Sequence, residues 1–419
     1  MKSCCNKIKL DVSDYVVILF STIFFLHRSP YVSMHVPAMI YAGIVVLLFS
    51  ILSISFSNHH NIIKFILPVY SLYILDFIFI DVKNASGNTD IIMLISRFMQ
   101  VMIMPLLAGY ILAKKNIKLA LYLLIVYISI DMVTYISSIK AEEIFSGIIR
   151  LNPGQLKEDD TYLFAMKNNL NAGSFTTVYG CVALFPISVL VLKWRKELFN
   201  NFFLTIFVLF YLLLSLYFIY VSQFSFALLG VILFSCLIFF PRRITPFFFK
   251  FSLVFALFVY PLIPIVLHAI ADNVESSIVA ERIEGAAIIF EGEAYTDVVD
   301  VDRRKELYQK SIDTIKATSL LGCWTKRVDG KSMISGHSFI LDHIALYGFV
   351  GVILLIFFYL GLLKLFYKPY KNKLWAYYYI YGLIGVSFLY LFNPDALYSQ
   401  LTFCYPISAF LINNKMNAK

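Results

Sequence analysis

Apolar stretches of about 20 residues recur from one end of the chain to the other, and nothing else in the sequence restricts the fold as strongly. About 20 apolar residues coiled as a helix cross the hydrocarbon core of a bilayer, and a helix satisfies its own backbone there without help from water. Twelve candidate spans are expected, at roughly 15–30, 35–56, 62–81, 91–112, 118–137, 173–192, 201–220, 222–240, 247–270, 346–366, 374–392 and 396–412. The first and last have the shortest continuous apolar runs. In 419 residues these spans leave under half the chain for connections, so no separate soluble domain is expected. The expected fold class is all-α: a single polytopic integral membrane domain over 1–419 with about twelve transmembrane helices. Composition agrees, because 60% of residues are hydrophobic and 15% charged. Soluble domains run at roughly 45–50% and about 25%, which excludes a water-soluble enzyme.

Charge gives the orientation. With the N-terminus inside, the inner segments collect nineteen Lys and Arg residues between Lys2 and Lys419, whereas the four short outer loops hold only Arg28 and Lys83. Cytoplasmic segments carry such an excess, so both termini are expected in the cytoplasm. The net charge of +9 therefore belongs to helix ends at a membrane, and nucleic acid is not an expected partner. Two outer loops are long, 138–172 and 271–338, and together hold 13 Lys/Arg and 17 Asp/Glu. Loops of this length are usually functional, so chemistry is expected on the outer face. Within the second, Leu307, Ile312 and Ile315 recur at helical spacing across Arg303–Thr318, and Gly330 and Gly336 bracket a turn region before His337.

The cysteines (Cys4, Cys5, Cys181, Cys236, Cys323, Cys404) show no metal-ligand spacing and no disulfide framework. Neither a metal nor a cofactor is expected. Cys4 and Cys5 precede the first apolar stretch, so that stretch is expected to be a retained span rather than a cleaved signal. A glycine-rich phosphate loop, HExxH and GxSxG are all missing from the sequence, which argues against nucleotide-driven transport within the chain.

Charged side chains inside spans mark functional candidates. Asp76, Arg97 and Asp131 lie five or six residues from the outer ends of the third, fourth and fifth spans, at a common depth of about 8–10 Å. They fit a buried ion pair holding three helices together. They equally fit an Arg97 that faces a hydrophilic cavity and binds an anion, with the aspartates orienting it. Arg303 and Arg304 head the amphipathic segment, either as solvated charges or as a fork for phosphate. His337 is placed where the chain re-enters the membrane, as a structural residue or a general base. Asp342 and His343 follow within two turns and are candidates to supply or orient that base. Lys167, Asn168, Asn169 and Asn171 stand at the mouth of the sixth span, as helix caps or as donors to sugars or phosphates.

On three of these stretches the chain resembles the O-antigen polymerase and ligase superfamily of bacterial inner-membrane glycosyltransferases. Asn168, Asn169 and Asn171, running into Leu184 and Pro186, look like that family's Asn-containing approach to a span and its Leu-Pro pair. Arg303 and Arg304, then Leu307 and Tyr308, then Leu320–Gly322, are similar to the Arg, aromatic and Gly positions of its large periplasmic loop. Gly336, His337 and Asp342, then Tyr347, Gly348 and Gly351, look like the pattern where the family's chain returns to the membrane. The likeness covers roughly 168–365 together with the twelve-span plan, in which 138–172 and 271–338 become periplasmic loops three and five. Two positions depart from the pattern. Gln223 stands after Ser222 where the family often has Arg, and Ser338 replaces the Asn after the His.

The resemblance implies an O-antigen polymerase in the bacterial inner membrane, joining undecaprenyl-diphosphate-linked oligosaccharides on the periplasmic face, with membrane lipid and a chain-length regulator protein as partners. An O-antigen ligase and a lipid-linked oligosaccharide flippase are the alternatives. A flippase, being a transporter, needs binding groups near the midplane. In the polymerase reaction a sugar hydroxyl attacks the anomeric carbon and undecaprenyl diphosphate leaves, its charge neutralised by guanidinium groups without a metal. Diphosphate binding falls to Arg303 or Arg304, with Arg97 in place of the missing arginine beside Gln223. His337 is the implied base with Asp342 as the fallback, and Asn168, Asn169, Asn171, Gln223 and the acidic stretch Glu281–Asp302 are left for sugar contacts.

Overall fold

The chain enters its first helix through a capping box. In α1 (Val12–Leu26), Asp11 Oδ1 accepts the Asp14 N–H at 2.8 Å and Asp14 Oδ2 accepts the Asp11 N–H at 3.1 Å, pairing donors that a helix start otherwise leaves open. The structure is a computed structural model. It describes residues 10–56, 71–81, 88–150, 173–198, 201–235, 262–273, 299–336, 338–392 and 399–417, apart from gaps of one to three residues, together with Ala280 and Glu284.

After α1 come α2 (Ala38–Phe56), a π-helical turn at Asp76–Asp81, α3 (Asn88–Lys114) and α4 (Ile117–Ile144). Helices α5 (Phe175–Lys193), α6 (Phe202–Ser222), α7 (Leu262–Ala271) and α8 (Val299–Ala317) follow. A hairpin of two-residue strands, β1 (Arg327–Val328) and β2 (Lys331–Ser332), pairs antiparallel with Arg327 opposite Ser332. Helices α9 (Phe339–Phe366) and α10 (Tyr377–Phe392), a π-helical turn at Gln400–Cys404 and α11 (Tyr405–Asn417) complete the chain. Apart from that hairpin, the regular structure among the described residues is helical, as the expected class requires.

Among the described residues, four stretches, Ile117–Ile144, Thr176–Lys193, Phe202–Ser222 and Phe339–Tyr370, are long and apolar enough to cross a bilayer. Helix is described in each of the twelve expected stretches, though only in part within 62–81, 222–240 and 247–270. Two boundaries differ from expectation. Helix α4 continues to Ile144, past the expected end at 137. Its 28 residues give about 42 Å of helix against a hydrocarbon core of about 30 Å, so the polar last turns project beyond what apolar length alone marks. Helix α9 begins at Phe339 instead of 346, because its first turns carry Asp342 and His343 among apolar residues and are largely buried against protein.

Helix α2 packs on α1 and α3, α4 on α1, α6 and α11, and α5 on α6 and α10. The turn at Gln400–Cys404 is wholly buried and, with α11, touches α3, α4, α5 and α9. Lipid gives helices little hydrophobic reason to associate, so close approach at small residues and shared hydrogen bonds do that work. Tyr405 crosses Gly382, where a methyl group would overlap its hydroxyl, and donates to Ala183 O at 2.6 Å. Outward, α6 exposes Phe203, Phe210, Leu213 and Tyr220, an apolar face at the bundle edge.

Candidate functional site

The site forms where α9 is broken. Gly348 adopts φ 54° and ψ −130°, a backbone conformation that glycine reaches without steric cost. The break removes helical partners from the carbonyls just before it, and bare carbonyls away from water are costly. The segment after α8 supplies replacements: Cys323 N–H donates to Ala345 O at 3.0 Å and Trp324 N–H to Leu346 O at 2.8 Å. That approach is possible because residue 322 has no side chain. A Cβ on Gly322 (φ 81°) would overlap Leu346 O and stand 2.7 Å from Gly348 N. Trp324 covers the junction, its indole N–H on Leu321 O at 3.0 Å and its ring edge-on to Tyr347 at 5.2 Å.

One turn into α9, whose start is capped by Ser338 Oγ on the Leu341 N–H at 3.1 Å, Asp342 is 5% exposed. Its Oδ1 accepts from Ser311 Oγ at 2.6 Å, from Ser335 Oγ at 2.7 Å and from Ser335 N–H at 3.0 Å. Three residues along α8 on the same face, Thr314 Oγ1 donates to Met333 O at 2.6 Å. Helix α8 is thereby fastened to the beginning of α9 and to the turn leading into it.

Beside this clamp is a second carboxylate. His343, 7% exposed, places Nδ1 2.6 Å from Phe339 O and Nε2 2.9 Å from Asp76 Oδ2, while the Tyr347 hydroxyl donates to Asp76 Oδ1 at 2.6 Å. A carbonyl only accepts, so Nδ1 carries a hydrogen. A second proton must then lie between Nε2 and Asp76 Oδ2, since two lone pairs at that distance would repel. The pair is therefore a protonated unit, either imidazolium with carboxylate or imidazole with carboxylic acid. Lys326, just before β1, is within electrostatic reach of Asp76. Such a unit gives up or takes back one proton.

The structure brings together part of the expected set. Asp76 has His343 and Tyr347 as described partners, and the expected ion pair with Arg97 lies outside the described residues. Arg97 lies on α3, next to Phe98, whose ring meets Phe77 at 4.5 Å, so the backbone there adjoins the Asp76 turn. Asp131 is buried on α4 and interacts with Tyr135, Cys181 and Tyr211. Arg303 and Arg304 are on α8, seven and eight residues before Ser311 and so about 10–12 Å along the helix. The side chains of Arg97, Arg303 and Arg304 lie outside the described residues, as do His337, Asn168, Asn169, Asn171 and Gln223. Most of Glu281–Asp302 does as well. Ser311, Ser335 and Tyr347 were not expected as site residues. Their only sequence signal is their position near the Arg and Gly stretches.

Comparison with known protein families, with curated proteins and with solved structures finds no match to this chain.

Proposed function

We propose that this chain is a membrane glycosyltransferase of the O-antigen polymerase kind, with twelve spans and both termini cytoplasmic, acting at the outer face of the bacterial inner membrane. The observation that supports this reading is a contact between two of the stretches that carry the resemblance, which are distant in sequence. Gly322 lies on Gly348, and Ser311 of the helix that begins near Arg303 and Arg304 donates to Asp342. A helix that carries two adjacent arginines is thus fastened beside a protonated carboxylate–imidazole pair, a cation and a proton carrier of the kind that a lipid-diphosphate glycosyl transfer can use.

In the proposed reaction a hydroxyl of one repeat unit attacks the anomeric carbon of the lipid-linked chain. The bond to diphosphate breaks and its electron pair leaves with undecaprenyl diphosphate, whose charge Arg303 or Arg304 neutralises. The hydroxyl proton passes to a base, His337 or the Asp76–His343 pair once that pair has given up its bridging proton. Asp342 positions α8, since its Oδ1 is already occupied by three donors.

The test is the lipopolysaccharide ladder of a strain lacking this gene, complemented with wild type, Arg303→Ala, Arg304→Ala and His337→Ala. Core bearing a single repeat unit, with the ladder restored by wild type and lost in the variants, supports the polymerase and its site. Loss of every O-antigen band with lipid-linked polymer accumulating outside means a ligase. Lipid-linked single units trapped inside mean a flippase and end the catalytic reading.

A further inference from the structure

Far from the Asp76–His343 pair, a cavity of about 380 Å³ opens between α4, α5, α6 and α11. We propose that it holds one acyl chain of an anionic phospholipid, as a binding site that does not depend on the function proposed above.

The lining is carbon. Leu121 and Leu124 of α4, Ile187 of α5, Phe207 and Val208 of α6 and Leu411 of α11 are among the apolar side chains that form most of the wall. The hydroxyls that reach it are engaged elsewhere. Ser188 Oγ donates to Leu184 O at 3.0 Å, Ser408 Oγ to Tyr405 O at 3.0 Å, and the Tyr211 hydroxyl pairs with that of Tyr135 at 3.3 Å. A sugar or nucleotide would lose its hydration there and find little in return, whereas an alkyl chain loses nothing. The volume is near the lower end of the roughly 300–1,000 Å³ of ligand pockets, a size for one chain and not for a headgroup.

The mouth is polar and basic. Ile117, the first residue of α4, places it at the helix end opposite Ile144 and the broken start of α9, and Asn201 and the exposed Lys415 line it. Helix α11 also packs on the turn Arg195–Leu198, which carries Arg195 and Lys196 beside the single acid Glu197. Basic groups beside an inter-helix pocket attract anionic headgroups. Helix α6, which forms one wall, shows its other face as exposed Phe203, Phe210 and Leu213, so a bilayer lipid has only to slip behind an edge helix.

Native mass spectrometry of the detergent-purified full chain tests this, with phosphatidylglycerol, phosphatidylcholine or a polyprenyl phosphate added. Retention of one phosphatidylglycerol under conditions that strip phosphatidylcholine is expected. Lys415→Ala should weaken that retention about fivefold, and Val208→Trp, which fills the cavity, should abolish it. Equal retention of the two phospholipids, displacement by polyprenyl phosphate, or unchanged retention in Val208→Trp would overturn the proposal. If Val208→Trp does not fold, Lys415→Ala decides alone, because its side chain is exposed.

Discussion

His343 Nε2 lies 2.9 Å from Asp76 Oδ2 although 267 residues separate them in the chain. The contact joins the π-helical turn at Asp76–Asp81 to the first turns of α9, and the proton it must contain is the most chemically useful feature of this end of the bundle.

Asp76→Asn removes that proton and little else. The amide oxygen still accepts from Tyr347 and the amide N–H can donate to Nε2, so thermal stability in detergent should stay within about 1 kcal/mol of wild type. If the pair is the base, transfer falls about 100-fold or more. An unchanged lipopolysaccharide ladder in a strain carrying only this variant removes the pair from the chemistry.

Asp342 separates a positioning role from a catalytic one. Asp342→Ala leaves the Ser311 hydroxyl and both Ser335 donors without their shared acceptor, a loss of about 3 kcal/mol. Asp342→Asn keeps an oxygen at that place and should retain most of the stability and the ladder. A folded Asp342→Asn protein without ladder would make the carboxylate itself a participant.

The two glycines Gly322 and Gly43 should respond oppositely to alanine. At Gly322 the positive φ and the overlap with Leu346 O cost about 2–4 kcal/mol, read as a lower melting temperature. Gly43 in α2 has open space around its Cβ position, so alanine there should stabilise by about 0.5–1 kcal/mol. Similar shifts at both sites would mean that the segment 322–324 does not seat on the α9 break.

Acid should release the clamp at the opposite end. Hydrogen bonds from Lys114 at 2.7 Å and from Ser13 hold the Asp11 carboxyl well below the usual carboxylate range. A lowered folded value means the contribution is complete above the unfolded value of about 3.9. It is then lost as pH falls below that point, through the folded value. The melting-temperature gap between wild type and Asp11→Asn should be flat from about pH 8 to 5 and shrink below about pH 4. A gap that changes between pH 8 and 5 would place its source in another group.

Parts of the site were legible because they repeat locally. The spacing of Leu307, Ile312 and Ile315 announced α8, which spans Val299–Ala317, whereas the turn region expected between Gly330 and Gly336 holds only β2 of the hairpin, β1 lying before Gly330. The break at Gly348 was not legible. The apolar run suggested a span starting near it, while the helix begins earlier, at Phe339, and its Asp342 and His343 find partners on α8 and at the Asp76 turn. Asp76 was recognised as a costly charge, but its contacts with His343 and Tyr347 were not legible, since depth along a helix says which charges share a level and not which helix faces face one another.

What the sequence alone determined is the helical character of the chain and the presence of stretches long and apolar enough to cross a bilayer. Both follow from local quantities, the run length of apolar residues and the cost of uncovered backbone or charge in hydrocarbon. Only the tertiary structure decided that Asp76 meets His343, that Ser311 meets Asp342, and that residues 322–324 supply the hydrogen bonds missing at Gly348. Each of these pairs a donor with an acceptor far away in the chain, and which distant partner satisfies a buried group depends on how the helices pack, not on any repeat within one of them.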